Sequence, residues 1–225
     1  MSGERLQYSV ERLPRGRHGL PREYVAQNQR ERLHVSLAEC LEESGYDGTT
    51  VSAIGKRAGV SKSDFYKQFE SKDACFVAAY DEAVERIRER VLSVCEGPED
   101  WAGRVASALA ALLDFLAAEP AQAGLVLVEG LRAGRGVYDR YLVALQSFVP
   151  YLGDGAPAPP GGEPPPEATD EAVVGGIASL LARRVLAGKA AELGEFLPEI
   201  AEFALTPYLG ATEARRIISE RWAIR

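Results

Sequence analysis

The stretch GYDGTTVSAIGKRAGVSKSDFYKQFESKDACF, residues 45–76, decides the fold of this chain. Two short runs within it, residues 50–58 and 62–69, carry apolar residues at helical spacing. Gly59 lies between the runs and tolerates the left-handed backbone conformation that ends many helices. Two short helices joined by a tight glycine turn form a helix-turn-helix, which is what this stretch predicts.

Both short helices have their own start signals. Thr49 or Thr50 is a suitable N-cap for the first helix, and Ser61 for the second, with Asp64 three residues later as a weak capping box. Gly55 is small where we expect two helices to cross closely. The two helices share an apolar face that neither can bury alone, made of Val51, Ile54, Ala58, Val60, Phe65 and Phe69. The helices before and after them supply apolar partners for that face, namely Leu33, Leu37, Leu41 and Phe76.

The outward face of the second helix is rich in hydrogen-bond donors, which are Lys62, Ser63, Tyr66, Lys67 and Gln68. Such donors suit phosphates and base edges in a major groove. Residues 1–33 and 49–72 each carry a net charge of +3, whereas the chain from Glu96 onward carries −7. This division favours a DNA-binding front and an acidic body. On pattern alone, an ordinary helical hairpin with a solvated face remains the alternative.

Residues 49–76 resemble the DNA-binding domain of the TetR family of bacterial transcription regulators. That family shows a Thr pair, then Ile-Ala, Ala-Gly-Val-Ser, Tyr-x-x-Phe and a Lys that opens the fourth helix. This chain has the same order and spacing in Thr49-Thr50, Ile54-Gly55, Ala58-Gly59-Val60-Ser61, Tyr66-Lys67-Gln68-Phe69 and Lys72. The resemblance covers about fifty residues, from Arg30 to Tyr80. Departures at Gly55, Ser63, Asp64 and Lys67-Gln68 leave the fold secure and the operator sequence open.

The resemblance implies an all-α protein with an N-terminal three-helix DNA-binding domain and a larger C-terminal helical domain for ligand binding and dimerisation. We expect a flexible basic arm over residues 1–20, the helix-turn-helix domain over 21–72 and the effector-binding and dimerisation domain over 73–225. The implied function is a transcriptional regulator, usually a repressor, that a small-molecule effector releases from a palindromic operator. The alternative is a helical small-molecule-binding or protein-interaction module whose DNA-binding head has lost its function.

The resemblance also assigns roles by position within the head. Thr50, Tyr66 and Lys72 are expected to contact phosphates and fix the register on the duplex. The base-contacting or base-adjacent set is expected to be Ser61, Lys62, Ser63, Lys67 and Gln68. Asp64 either caps its own helix, the interpretation we favour, or accepts a hydrogen bond from a cytosine amino group.

Ahead of the domain, Arg15 and Arg17 lie among glycines and prolines. A flexible basic segment of this kind can enter a minor groove, and a solvated terminus explains it equally well.

Helical periodicity continues through the rest of the chain. It predicts helices over residues 21–45, 72–95, 99–118, 121–132, 137–149, 170–190, 196–209 and 211–222, with a Pro-rich connector over 153–166. The run Leu125–Val128 fits either a short strand or a buried helix. Because a palindrome is read by a two-fold protein, we expect a homodimer. Its predicted seam comprises Val173, Ile177, Leu180, Leu181, Phe196, Ile200 and Phe203, although an intramolecular core explains the same pattern.

The helices between residues 72 and 152 are expected to enclose an effector pocket. Its aromatic candidates are Trp101, Phe115, Tyr138, Tyr141 and Phe148, with Tyr151 beside them, and they suggest an apolar or aromatic effector. Aromatic residues at helical spacing are also common in plain cores.

Other functional classes find no support in the sequence. It has no GxSxG, P-loop, HExxH or GxGxxG motif, so we expect neither catalysis nor a cofactor. Two histidines and three dispersed cysteines do not have metal-ligand spacing, so no metal is expected. The chain lacks an uncharged apolar run of eighteen residues and an N-terminal apolar segment, which predicts a cytoplasmic protein without a membrane partner.

Overall fold

The structure is a computed structural model that describes residues 20–95, 100–133, 135–157 and 165–222. Throughout these residues the regular structure is helical. The helices are α1 (Arg22–Gly48), α2 (Val51–Ala58), α3 (Lys62–Gln68), α4 (Lys72–Cys95), α5 (Trp101–Ala118), α6 (Pro120–Leu127), α7 (Arg135–Gly153), α8 (Thr169–Leu186), α9 (Leu197–Leu209) and α10 (Ala211–Trp222). Short 3₁₀ segments lie at Glu129–Leu131 and Ala190–Phe196. The predicted all-α fold is confirmed for the described part of the chain.

Glycines in the left-handed region end several helices where the sequence predicts a stop. Gly45, at φ +64°, breaks α1 before its last turn, and Gly59, at φ +63°, ends α2. Gly188, at φ +74°, follows α8. Its position explains why α8 ends at Leu186 rather than near residue 190 as predicted, since a positive φ does not continue an α-helix.

The region after α5 also departs from the prediction. We expected one helix over residues 121–132, but α6 ends at Leu127 and the chain tightens into the 3₁₀ segment Glu129–Leu131. The run Leu125–Val128 is therefore the buried end of a helix and not a strand. This tight turn places Glu129 inside the protein, where it bears on the functional site described below.

Helices α1–α3 form a compact unit, here called the head, and α4–α10 form the body. α4 packs against both, because it contacts α1 in the head and α5 in the body. α5 is long and apolar enough to cross a membrane by length and composition. Half of it is buried, however, against α4, α9 and the second 3₁₀ segment, so it is the central core helix of the body.

Candidate DNA-binding site and effector cavity

The caps predicted for the two short helices are present. The Thr50 hydroxyl accepts a hydrogen bond from the Ala53 amide at 3.1 Å and caps α2. The Ser61 hydroxyl accepts from the Asp64 amide at 3.0 Å and donates to the Asp64 carboxylate at 2.7 Å. Ser61 therefore caps the start of α3, and the Asp64 carboxylate supports that cap by accepting from the Ser61 hydroxyl.

Burial of the shared apolar face holds α2 and α3 against α1 and α4. The predicted face is buried, except for half-buried Val51, and so are its four predicted partners on α1 and α4. Position 55 requires a residue without a side chain, but not because two helices cross there as we expected. A Cβ there would lie 2.8 Å from the backbone oxygen of Val60, so the close approach is to the turn between α2 and α3.

With that face buried, α3 presents its other side outward. Lys62, Ser63, Tyr66 and Lys67 are exposed along it. The Lys62 ammonium lies 6.0 Å from the centroid of the Tyr66 ring, and the Lys67 ammonium donates to Asp64 at 2.7 Å. The pKa of Asp64 is held below its usual range, first by the bond from Lys67 and then by the bond from Ser61. Asp64 is therefore an ionised carboxylate paired with Lys67 beside the Ser61 cap, and not an isolated negative charge facing DNA.

Two predicted DNA contacts also serve the fold of the head. The Gln68 side-chain amide is half-buried and donates to the backbone oxygen of Ala26 in α1 at 3.0 Å. The Lys72 ammonium donates to the backbone oxygens of Tyr46 and Thr49, at 2.7 and 3.1 Å. The sequence did not signal these inward contacts, because both residue types are common on exposed DNA-binding surfaces.

Glu129 is a polar residue of the site whose partner the sequence did not reveal. It is buried, and its carboxylate accepts the backbone N–H of Tyr46 at 3.1 Å. The break at Gly45 removes that amide from the α1 hydrogen-bond ladder, so the carboxylate satisfies a donor that would otherwise be unpaired. This bond joins the α6–α7 turn of the body to the end of α1 in the head.

An apolar cavity of about 130 Å³ lies in the body among α4, α5, α6, α7, α8 and α9. Tyr141 and Phe148, both predicted as effector contacts, line it together with Tyr80 and Tyr151. The structure does not bring the other three predicted aromatics to this cavity. The Trp101 indole donates to the backbone oxygen of Leu152 at 2.8 Å, Phe115 lies under the Arg86 guanidinium, and Tyr138 is largely exposed on the outside of α7.

The predicted dimer seam divides into two groups. Five of its residues are buried within the single chain and cannot add apolar area to a contact with a second copy, namely Val173, Ile177, Leu181, Phe196 and Ile200. For these five, the burial within one chain favours the intramolecular core. Leu180 is half-buried, and Phe203 is 40% exposed on α9.

Arg15 and Arg17 of the predicted basic arm lie outside the described residues, as does the middle of the Pro-rich connector. Within the described residues, no group of three or more His, Cys, Asp or Glu side chains has an arrangement that could hold a metal ion.

Comparison with known proteins agrees with this architecture. Residues 36–79 match the sequence model of the bacterial regulatory proteins of the tetR family. The fatty acid degradation regulator FadR from Bacillus halodurans has a similar structure, with a TM-score of 0.67 and 15% identity, over 79% of this chain and 94% of its own. FadR from Bacillus subtilis, solved in complex with stearoyl-CoA, has a TM-score of 0.67 and 16% identity, over 79% of this chain and 98% of its own.

A transcriptional regulator from Rhodococcus sp. is similar with a TM-score of 0.59 and 23% identity, over 85% of this chain and 96% of its own. No curated protein sequence matches the chain significantly. The capped helix-turn-helix lies inside the matched segment, as in a TetR-like DNA-binding transcription regulator. The chain is TetR-like, with the family's DNA-binding domain at its front and a helical body of the same fold as these regulators.

Proposed function

We propose that the chain is a cytoplasmic repressor that acts by binding and not by catalysis, and that α3 enters the major groove of a palindromic operator. The observation that carries this proposal is the outward face of α3, where Lys62, Ser63, Tyr66 and Lys67 are exposed on a helix fixed by its cap and its buried opposite side. Lysine and serine side chains of this kind can bond base edges, and we assign the phosphate contacts to Thr50 and Tyr66.

We assign residues 1–20 to the arm, 21–72 to the DNA-binding domain and 73–225 to the effector-binding and dimerisation domain. The basic content of the arm, with Arg15 and Arg17, supports minor-groove contact. Deleting residues 1–19 and measuring operator affinity tests the arm. Unchanged affinity would rule it out.

We propose a homodimer through the outer face of α8 and α9. Exposed Leu186 on α8 and Phe203 on α9 support this interface, because both are large apolar side chains left uncovered by the single chain. Phe203→Glu should convert the dimer to a monomer in light scattering and weaken operator binding, while Val143→Glu, at an exposed apolar residue of α7 outside the proposed interface, should leave both unchanged. A wild-type monomer at high concentration would refute the dimer.

The apolar cavity supports an apolar small-molecule effector. FadR from Bacillus subtilis binds stearoyl-CoA in its solved structure, and the apolar lining here supports an effector whose buried part is likewise apolar. We propose that the effector binds more tightly to a dimer whose two heads are spaced wrongly for the two half-sites of the operator. By linkage, the effector then lowers the affinity for the operator. The bond between Glu129 and Tyr46 supports this coupling, since it connects the turn beside the cavity to the head.

The experiment that tests the proposal is a gel shift with random duplex DNA, titrated in salt. A regulator binds random duplex with an affinity that falls steeply as salt rises, whereas a module with an inactive head does not bind. Lys62→Ala should then change the operator that is selected from a random library. An unchanged operator would contradict the assignment of Lys62 as a base contact.

A further inference from the structure

The apolar cavity of the body is long. Its lining follows one face of α4 within residues 80–91, one face of α5 within residues 105–116 and one face of α7 within residues 141–152. Each of these faces covers about three turns of helix, or about 16 Å at a rise of about 1.5 Å per residue. Three helices therefore line the same cavity along a large part of their length.

Separate contacts join the lining helices at the two ends of the cavity. At one end, the rings of Tyr80 and Tyr141 both lie beside Gly130, where an added Cβ would be 2.9 Å from the first ring and 3.7 Å from the second. At the other end, the indole of Trp101, the first residue of α5, donates to the backbone oxygen of Leu152 in α7 at 2.8 Å. The lining therefore has two distinct ends, each made by different parts of the same helices.

The cavity is also narrow for its length. Its volume is about 130 Å³, whereas a compact apolar cavity of about 150 Å³ holds a single benzene ring. A smaller volume drawn out along about three turns of helix has a smaller cross-section than a ring requires. Half-buried Phe148 lines the cavity between its two ends, so its ring takes up width in the middle of the channel.

We propose that the buried part of the effector is an unbranched aliphatic chain and not a ring system. This inference rests on the proposed effector site and names the chemical class of its ligand. An extended chain makes contact along the whole of a long, narrow space, whereas a ring meets the walls and leaves the rest of the channel empty. No charged side chain is among the described residues that line the cavity, so apolar contact with the chain is its main interaction.

Two alcohols of similar apolar surface test the proposal. 1-Octanol carries an unbranched chain, and 3-cyclohexylpropan-1-ol has one more carbon, which offsets the surface lost on closing its ring. By isothermal titration calorimetry, the wild-type chain should bind 1-octanol about tenfold more tightly, because a group too wide for a packed interior costs about that factor in affinity. Equal binding of the two alcohols, tighter binding of the ring compound, or binding of neither would each overturn the proposal.

Phe148→Ala removes the ring that narrows the middle of the channel. The variant should bind the ring compound more tightly than the wild-type chain does, and it should lose most of the preference for 1-octanol. Tyr138→Ala is the matched control and should keep that preference, since Tyr138 is an aromatic residue of α7 that is 43% exposed and does not line the cavity. An unchanged affinity of Phe148→Ala for the ring compound would contradict the proposal. The calorimetry contains no DNA, so these outcomes are independent of the gel shift that tests operator binding.

Discussion

Replacing Lys72 by methionine removes an ammonium that ties the start of α4 to the segment between α1 and α2. The ammonium donates two hydrogen bonds to backbone oxygens, at 2.7 and 3.1 Å, and lies 3.9 Å from the centroid of the Tyr46 ring. Hydrogen bonds from a charged donor contribute about 1.5–3 kcal/mol each, and an exposed cation–π contact about 0.5–1 kcal/mol. Because Lys72 is only half-buried, solvent screens part of these interactions, and we expect a total loss of about 2 kcal/mol in the free energy of unfolding.

The same substitution tests the phosphate contact proposed for Lys72. Two of the three ammonium N–H groups are used inside the head, and the third remains for a phosphate. Methionine should therefore weaken binding to all duplexes alike, and the slope of log K against log[salt] should fall in magnitude by about 0.9 for each protomer, or about 1.8 for the dimer. Urea denaturation gives the stability, and fluorescence anisotropy over a series of salt concentrations gives the slope.

Lys189→Met provides the matched control. Lys189 is exposed in the body and lies 3.7 Å from Glu192, a surface pair that contributes less than about 1 kcal/mol. Its substitution should leave the salt slope unchanged. Unchanged stability in Lys72→Met would show that the two Lys72 hydrogen bonds do not stabilise the head. An unchanged salt slope would refute the phosphate contact, even if stability is lost.

Four further substitutions test other parts of the structure. Gly55→Ala should lower the free energy of unfolding by about 1 kcal/mol or more, because its Cβ would meet a backbone oxygen at 2.8 Å. Gly124→Ala is the control, because a Cβ there meets no atom within 4 Å, and it should raise the free energy of unfolding by up to about 1 kcal/mol. Equal effects of the two substitutions in urea denaturation would contradict this explanation. The hydrogen bond from His34 holds the pKa of Glu82 below its usual range. The pair therefore stabilises the chain above the ordinary glutamate pKa and loses that contribution as the pH falls through the lowered pKa. Glu82→Gln should make the free energy of unfolding depend less on pH at the acid end. Parallel pH curves for the wild-type chain and the variant would refute this expectation. Glu129→Ala should cost about 1–3 kcal/mol in thermal or urea denaturation, since it leaves a buried amide unpaired, and a neutral result would show that water replaces the carboxylate.

The head could be predicted from the sequence because local chemistry specifies it. Thr50, Ser61 and Gly59 act within four residues of themselves, so caps and a left-handed turn are visible in the sequence. The exposed donors of α3 followed from the opposite side being apolar. Local chemistry could not reveal that Lys72 and Gln68 donate hydrogen bonds within the head, because their partners lie on α1 and the loop after it.

The body was harder to predict because periodicity identifies the apolar face of a helix but not what covers it. Val173, Ile177 and Leu181 follow the spacing of a seam between helices, yet the single chain already covers them. The aromatics of the predicted pocket divide in the same way, since Tyr141 lines the cavity while Trp101 is held by a hydrogen bond elsewhere. The turn at Glu129–Leu131 depends on contacts with α1 that are distant in sequence.

The central claim is that two copies of α3 lie in successive major grooves of one duplex. Selection of bound sites from a random duplex library, with the purified full-length chain, tests it most directly. We expect an inverted repeat whose half-sites are centred about one helical turn apart, or a multiple of it. A library that yields no enriched duplex, even at low salt, or only single unpaired half-sites would contradict it.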